Sequence, residues 1–336
     1  MVSHVGYHGL NTNKTITPRY RNFDQVKLVA LVGAGSVGKS WAALYLAKGY
    51  EVVATDPAPG FEQNIHDFVL ETWGSLQRLH GLPDASPPMQ RLLFARSAAE
   101  AAQRADLIHE NAPENLALKC RLLTELDEAA PKECLILSST GGIGPTLLQK
   151  QCRYPGRVLV AHPLNPPHLI PLVEIVGGSA TDPAAIDWAT RFMRLLGKRP
   201  IVVRREVIGH LANRLQGALL REAFNCLVEE IASAQDIDDA VRYGLGLRWA
   251  LMGSLMTFHL AGGTGGATHT LELAADAFES WWADLGSVHL TRDVRAKIIA
   301  GTAEIAGDRP IADWARWRDY NLVNLIRQTE MADCQP

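Results

Sequence analysis

The sequence predicts an α/β fold: a Rossmann-type doubly wound parallel sheet followed by an all-helical C-terminal domain. Three observations predict it. A buried-strand run at 26–32 (VKLVALV) passes directly into GAGSVG at 33–38. Strand and helix patterns then alternate to about Arg204, as a parallel sheet requires. After Arg205 strand patterns stop, and apolar residues recur only at helical spacing. The implied organisation is an N-terminal extension over 1–25, a dinucleotide-binding domain over 26–205 and a helical substrate and dimerisation domain over 206–330.

Residues 1–25 are polar, with Lys14, Arg19 and Arg21 against Asp24, and are expected to form a loose arm. The strand at 26–32 is followed by a helical stretch over 36–48 that Gly49 stops. Between them Gly33 permits a tight turn, Gly35 lets the backbone approach a pyrophosphate, and Gly38 lets the helix pack on the sheet. The helix N-terminus, opened by Ser36 and Val37, faces the phosphates. The next strand ends in Asp56, eighteen residues after Gly38. A carboxylate there accepts from a ribose diol and repels a 2′-phosphate, which favours NAD over NADP.

A helical pattern over 61–82, a loop at 83–88, a strand at 105–110 and a helical pattern over 114–129 follow. A further strand at 135–138 runs into SSTGG. The stretch 158–176, VLVAHPLNPPHLIPLVEIV, then gives an apolar strand delivering His162, a proline-broken turn, and a second apolar strand containing Glu174. A charge in such a run is costly without a partner, and His162 is the natural one. A carboxylate on one imidazole nitrogen fixes the tautomer and leaves the other as a general base. A structural hydrogen bond in a core is the competing reading. Ligands of such a sheet lie at the carboxyl ends of its strands, where GAGSVG, SSTGG and His162 all fall.

The helical half reads as segments at 208–232, 235–243, 247–260, 269–284, 291–305 and 311–329, punctuated by Gly262, Gly263, Gly265 and Gly266. Such a half covers a nucleotide site and offers apolar faces for a homodimer. Composition adds exclusions. With 47% hydrophobic and 21% charged residues and a net charge of −3, nothing calls for nucleic acid or an acidic membrane. No apolar run approaches the ~18 residues of a membrane span. The five cysteines, Cys120, Cys134, Cys152, Cys226 and Cys334, contain no CxxC, so neither a disulfide framework nor a metal site is expected. A reducing compartment, the cytoplasm, fits best.

In combination, GAGSVG, PENLALK (113–119), SST (138–140), AHPLNPPHLIPLVEIV (161–176) and EVIGHLANRL (206–215) resemble the 3-hydroxyacyl-CoA dehydrogenase superfamily. NPP, IPLVE, ANRLQ, GLGLRWA and WRDYNL point to its members acting on free hydroxy acids, lambda-crystallin (L-gulonate 3-dehydrogenase) and L-carnitine dehydrogenase. The resemblance implies an NAD-dependent dehydrogenase in which His162 removes the substrate hydroxyl proton. Glu174 supports the imidazolium, and Asn213 donates to the substrate oxygen. Glu114 and Lys119 line the cofactor site, with Asn165 beside the nicotinamide. A dimer is also implied.

One position departs from the family pattern. Where relatives carry a serine contacting the reacting oxygen, this chain has Gly141. Three explanations stand: a bulkier substrate, a hydroxyl supplied by Ser139 or Thr140, or a weak enzyme or binding protein of crystallin type. The helical stretch 61–82, where CoA-using relatives recognise CoA, holds Glu62, Asp67 and Glu71 against Arg78. That disfavours a CoA thioester and favours a small polar hydroxy acid. Arg248 and Trp249 are candidates for gripping its ends, against a reading as helix surface and core. His109, His210, His259 and His269 are read as core or surface histidines. Trp188, Trp281, Trp282, Trp314 and Trp317 are read as packing residues.

Overall fold

The computed structural model describes residues 20–333. Among them eight strands form one sheet: β1 (Leu28–Val32), β2 (Glu51–Thr55), β3 (Leu92–Phe94), β4 (Leu107–Glu110), β5 (Leu135–Ser138), β6 (Val158–Pro163), β7 (Leu172–Val176) and β8 (Arg199–Val203). Their order is β3-β2-β1-β4-β5-β6-β7-β8, so the winding reverses between β1 and β4. Helices α1 (Ser36–Ala47), α2 (Phe61–His80) and α6 (Pro183–Leu195) cover one face, where Trp41, Tyr45, Ile65 and Phe192 meet Leu159 and Ala161 of β6. On the other face α3 (Ala98–Ala102), α4 (Leu116–Ala129) and the short α5 (Pro145–Leu148) meet Val158 and Val160. The side-chain alternation of a strand buried on both faces thus splits one apolar run between two cores.

The sheet departs from the expected all-parallel form at one place. β6 and β7 pair antiparallel, with His162 directly opposite Glu174. The connection, residues 164–171, holds no helix and is too short for the crossover a parallel return needs. The strand β3 was not expected from sequence; at three residues it carries no readable alternation. Of the expected loose arm, residues 1–19 lie outside the described residues. Residues 20–25 are tied down instead: Tyr20 is buried, and Phe23 packs at a tilt against Trp188 with ring centroids 5.2 Å apart.

The helical half comprises α7 (Ala212–Val228), α8 (Ala234–Asp239), a π-helical turn (Ala240–Gly246), α9 (Leu247–Ala261), α10 (Gly266–Asp284), α11 (Arg292–Ala306) and α12 (Ile311–Asp333). α7 starts four residues later than the expected segment because Gly209 and His210 take left-handed backbone, φ +77° and +48°. α9 is kinked at Gly253. Neither α7 nor α9 has a buried residue within the single chain. Leu255 is 84% exposed and Leu273 74%, and Trp281 and Trp282, expected to pack, stand 59% and 66% exposed. α12 returns to the sheet domain, where Val323 and Ile326 pack on Leu169.

The entry to β6 is fixed by a buried ion pair. Arg157 Nε donates to Asp127 Oδ1 at 2.8 Å, and Asp127 Oδ2 accepts the backbone N–H groups of Arg153 and Tyr154. Removing one partner of such a pair strands the other charge. Asp127→Ala should therefore destabilise the protein by about 3–5 kcal/mol, read as a lower midpoint in urea unfolding.

Candidate active site

The glycine turn between β1 and α1 is cut to backbone dimensions. Gly33 has φ +100°, and a Cβ on it would sit 2.6 Å from the Asn111 carbonyl. A Cβ on Gly38 would sit 1.9 Å from the Gly33 carbonyl oxygen. A Cβ on Gly35, by contrast, would meet nothing within 4 Å, and Gly35 and Ser36 are exposed. Two glycines thus close the turn and the third leaves an open approach to the N-terminus of α1, with Val37 half-buried behind it. This cradle fits the pyrophosphate of NAD. Asp56 Oδ2 accepts the Ala34 N–H at 2.7 Å. Beside it lies a cleft of about 310 Å³, lined by Val32, Asp56, Arg96, Pro113 and Leu118 among others, where the sheet order reverses. Arg96 belongs to no motif, and Leu118 lies in PENLALK without being singled out there; only the fold brings the two to the cleft.

At the carboxyl end of β6, His162 Nδ1 lies 2.8 Å from Glu174 Oε2. Glu174 is fully buried, and its other oxygen accepts the N–H groups of Leu211 and Ala212 at 2.8 and 2.9 Å. Burial alone would raise this carboxyl, but the hydrogen bonds from His162 and the two N–H groups outweigh it and hold the pKa below its usual value. Its stabilisation is therefore complete above the usual carboxylate range and is lost as pH falls through the depressed value. An ionised Glu174 keeps the proton on Nδ1 and leaves the Nε2 lone pair free.

Asn213, in the first turn of α7, donates from Nδ2 to the Gly141 carbonyl at 2.9 Å. A Cβ on Gly141 would lie 3.0 Å from that Nδ2 and 3.2 Å from His162 Nε2. The bare backbone of residue 141 thus faces the imidazole and the amide together. Ser139 and Thr140 have their hydroxyls committed elsewhere. Ser139 Oγ donates to Asn111 and lies 3.0 Å from His109 Nε2, whereas Thr140 Oγ1 donates to Glu114 at 2.5 Å. Glu114 also accepts the Gly142 N–H. Lys119 is wholly buried and binds Glu110 and the Ala112 carbonyl, so it braces the loop after β4. Asn165 is exposed on the 164–171 connection. Arg248 and Trp249 are exposed on α9, with Arg248 Nε donating to the Gly244 carbonyl; a single chain does not bring Arg248 to this cluster.

Two histidines read as bland take part in the architecture. His210 is buried, with its ring 5.5 Å from that of His162 and Nε2 on the Thr140 carbonyl at 3.1 Å. His109 bridges Tyr45 and Ser139, and burial lowers its pKa to about 3, so it stays neutral. Neither contact set is signalled locally: Tyr45 lies 64 residues from His109 and Ser139 lies 30, and Thr140 lies 70 from His210. Among the described residues no cluster of three or more His, Cys, Asp or Glu is placed to hold a metal ion. Nor is any helix there long and apolar enough to cross a membrane.

Comparison with known proteins agrees with this geometry. Residues 28–207 match the family model for the 3-hydroxyacyl-CoA dehydrogenase NAD binding domain, and residues 209–285 that for its C-terminal domain. The chain is 42% identical over 307 residues to L-carnitine dehydrogenase of Nocardiopsis dassonvillei, covering 91% of this chain and 93% of the relative. It is 39% identical to that of Bacillus cereus over 91% and 94% of the two chains. Among solved structures, an NAD⁺-dependent dismutase, 5-formyl-3-hydroxy-2-methylpyridine 4-carboxylic acid 5-dehydrogenase, superposes with a TM-score of 0.79. It is 28% identical, with 91% of this chain and 99% of that one covered. (S)-3-hydroxybutyryl-CoA dehydrogenase from Ralstonia eutropha gives 0.60 at 25% identity, covering 76% and 88%. The chain belongs to the 3-hydroxyacyl-CoA dehydrogenase family and is an NAD-dependent hydroxy acid dehydrogenase.

Proposed function

We propose that this enzyme oxidises the secondary hydroxyl of a small, polar, free 3-hydroxy acid, carnitine- or gulonate-like, using His162 as general base. The observation that carries the proposal is the opposed His162–Glu174 pair, with Asn213 on the Nε2 side. Nε2 takes the hydroxyl proton, and the imidazolium so formed rests against the Glu174 carboxylate. Asn213 holds the oxygen as it becomes a carbonyl. NAD, held at Gly33, Gly35 and Gly38, supplies the hydride acceptor. The resemblance to L-carnitine dehydrogenases supports a free acid as substrate. So does α2, whose exposed Glu62, Asp67 and Glu71 repel the phosphates of a CoA thioester. With no side chain at Gly141, His162 Nε2 and Asn213 Nδ2 stay open to the reacting hydroxyl, while Ser139 and Thr140 serve the loop.

We further propose a homodimer through the helical half and a reducing compartment such as the cytoplasm. The dimer is supported by the exposed apolar side chains of α9 and α10, Leu255, Leu260, Leu273, Trp281 and Trp282 among them, which a second copy would cover. The compartment is supported by the free cysteines Cys120, Cys134, Cys152 and Cys226. A second reading is that a hydrated aldehyde is the species oxidised. It draws on the dismutase neighbour.

His162→Ala should lower kcat by a factor on the order of 10²–10⁴ with NAD affinity retained. Glu174→Gln should cost on the order of 10³, because the amide favours the wrong tautomer; parental turnover in either would remove the base assignment. In a panel of L-carnitine, L-gulonate, 3-hydroxybutyrate, 3-hydroxybutyryl-CoA and an aldehyde acid, NAD reduction should be fastest with one free hydroxy acid. Gly141→Ser should lower kcat/KM for that acid roughly tenfold by crowding His162 and Asn213. Preference for the thioester would establish the CoA reading, and absence of turnover throughout the crystallin one. Sedimentation should give twice the 36.7 kDa chain mass, falling to one chain in Leu255→Asp/Leu273→Asp.

A further inference from the structure

A cavity of about 100 Å³ lies where the end of α2, the 164–171 connection, the turn before β8 and α12 meet. Its polar lining is His80, His168, Lys198 and a single acid, Glu330, which is exposed at the rim. Lys48 joins them: its Nζ is 3.2 Å from His80 Nδ1 and 3.3 Å from where a Cβ on the lining residue Gly197 would be.

The hydrogen bonds here leave donors over. Lys48 donates to His80 Nδ1, so the proton of neutral His80 is on Nε2. Ser40 Oγ accepts the His168 backbone N–H at 2.8 Å, and its own proton goes to His168 Nδ1 at 2.8 Å. His168 therefore also carries its proton on Nε2. Both Nε2 atoms are buried and without a hydrogen-bond partner. His168 Nε2 faces Asp319 Oδ2 at 3.6 Å, beyond hydrogen-bond distance, and Arg318 holds the other oxygen of that carboxylate, so a negative charge already stands opposite His168. Buried polar groups are rarely left unpaired. The orphaned N–H of His80, beside two ammonium groups, needs an acceptor carrying negative charge.

We propose that this cavity binds one small oxyanion, of phosphate or carboxylate size, through Lys48, His80 and Lys198. Its volume is that of about three waters, enough for one such ion and too little for a nucleotide. The titration behaviour agrees. Burial, then Lys48 and Lys198, push His80 down to about 4. Burial, then Lys48, push Lys198 to about 7. Burial lowers Lys48 too, with Glu330 partly offsetting it. The groups repel one another across a shared space that an anion relieves. The site also bears on catalysis. Lys198 donates to the carbonyls of Pro167 and Ile170, and His168 ties the same connection to α1. That connection joins His162 to Glu174 and carries Asn165, so a bound anion stiffens the support of the catalytic pair.

The test is calorimetric titration of the NAD-saturated protein with inorganic phosphate and, separately, acetate at matched ionic strength; saturation with NAD occupies the glycine cradle. The expected result is one saturable site with a dissociation constant on the order of 1 mM. It should weaken about tenfold or more in Lys48→Gln and in His80→Leu, both verified as folded by circular dichroism, and tighten in Glu330→Gln. The tighter titrant identifies the oxyanion. Absence of saturable heat from both titrants in the parent, or parental affinity in both Lys48→Gln and His80→Leu, overturns the proposal. Binding that appears only in Glu330→Gln also overturns it, by making the side chain of Glu330 the occupant.

Discussion

The carboxylate of Glu174 is the constraint on which the rest of the molecule depends. One oxygen is committed to His162 and the other to the N–H groups that open α7. A fully buried charge is tolerable only when every lone pair is used, and here the users come from both halves of the chain. The sheet therefore cannot place His162 without also placing the first turn of the helical half. Asn213 lies in that turn, so the distance between the proposed proton acceptor and the proposed oxygen donor is set by a single buried group.

A similar economy runs through the loops around it. The carbonyls of Thr140 and Gly141 are each taken by a side chain from the start of α7, His210 and Asn213. The Ser139 hydroxyl is taken from below by His109 and Asn111. A turn so anchored on both sides keeps its shape without a side chain at residue 141. Neutral histidines suit this work, because burial suppresses their charge and so spares His162 a competing cation nearby.

Much of this was legible in the sequence, for identifiable reasons. The glycine cradle was readable because steric exclusion acts locally: Gly33 and Gly38 touch each other's backbone. The His162–Glu174 pair was readable because both sit in apolar strands a short turn apart, where a charge stands out. The reversal of β7 was not read, although the brevity of its connection to β6 contained it. His109, His210 and the basic cavity were hidden for another reason. Their partners are contributed by segments far apart, such as Ser40 to His168 across 128 residues. No periodicity records such a meeting. The exposed tryptophans of α10 misled in the opposite sense, since an apolar helical stripe tells that something covers it and not whether the cover is the same chain.

Asp56 carries a consequence for coenzyme choice. We assign its carboxylate to the ribose, yet one of its oxygens already holds the Ala34 N–H inside the phosphate turn, and the other holds Ala58. Discrimination against a 2′-phosphate and the shape of the pyrophosphate cradle are thus properties of one side chain. Any evolutionary or engineered drift toward the phosphorylated coenzyme has to find a second acceptor for Ala34 before it can give up the acid, which makes the preference for NAD harder to lose than a single surface charge would suggest.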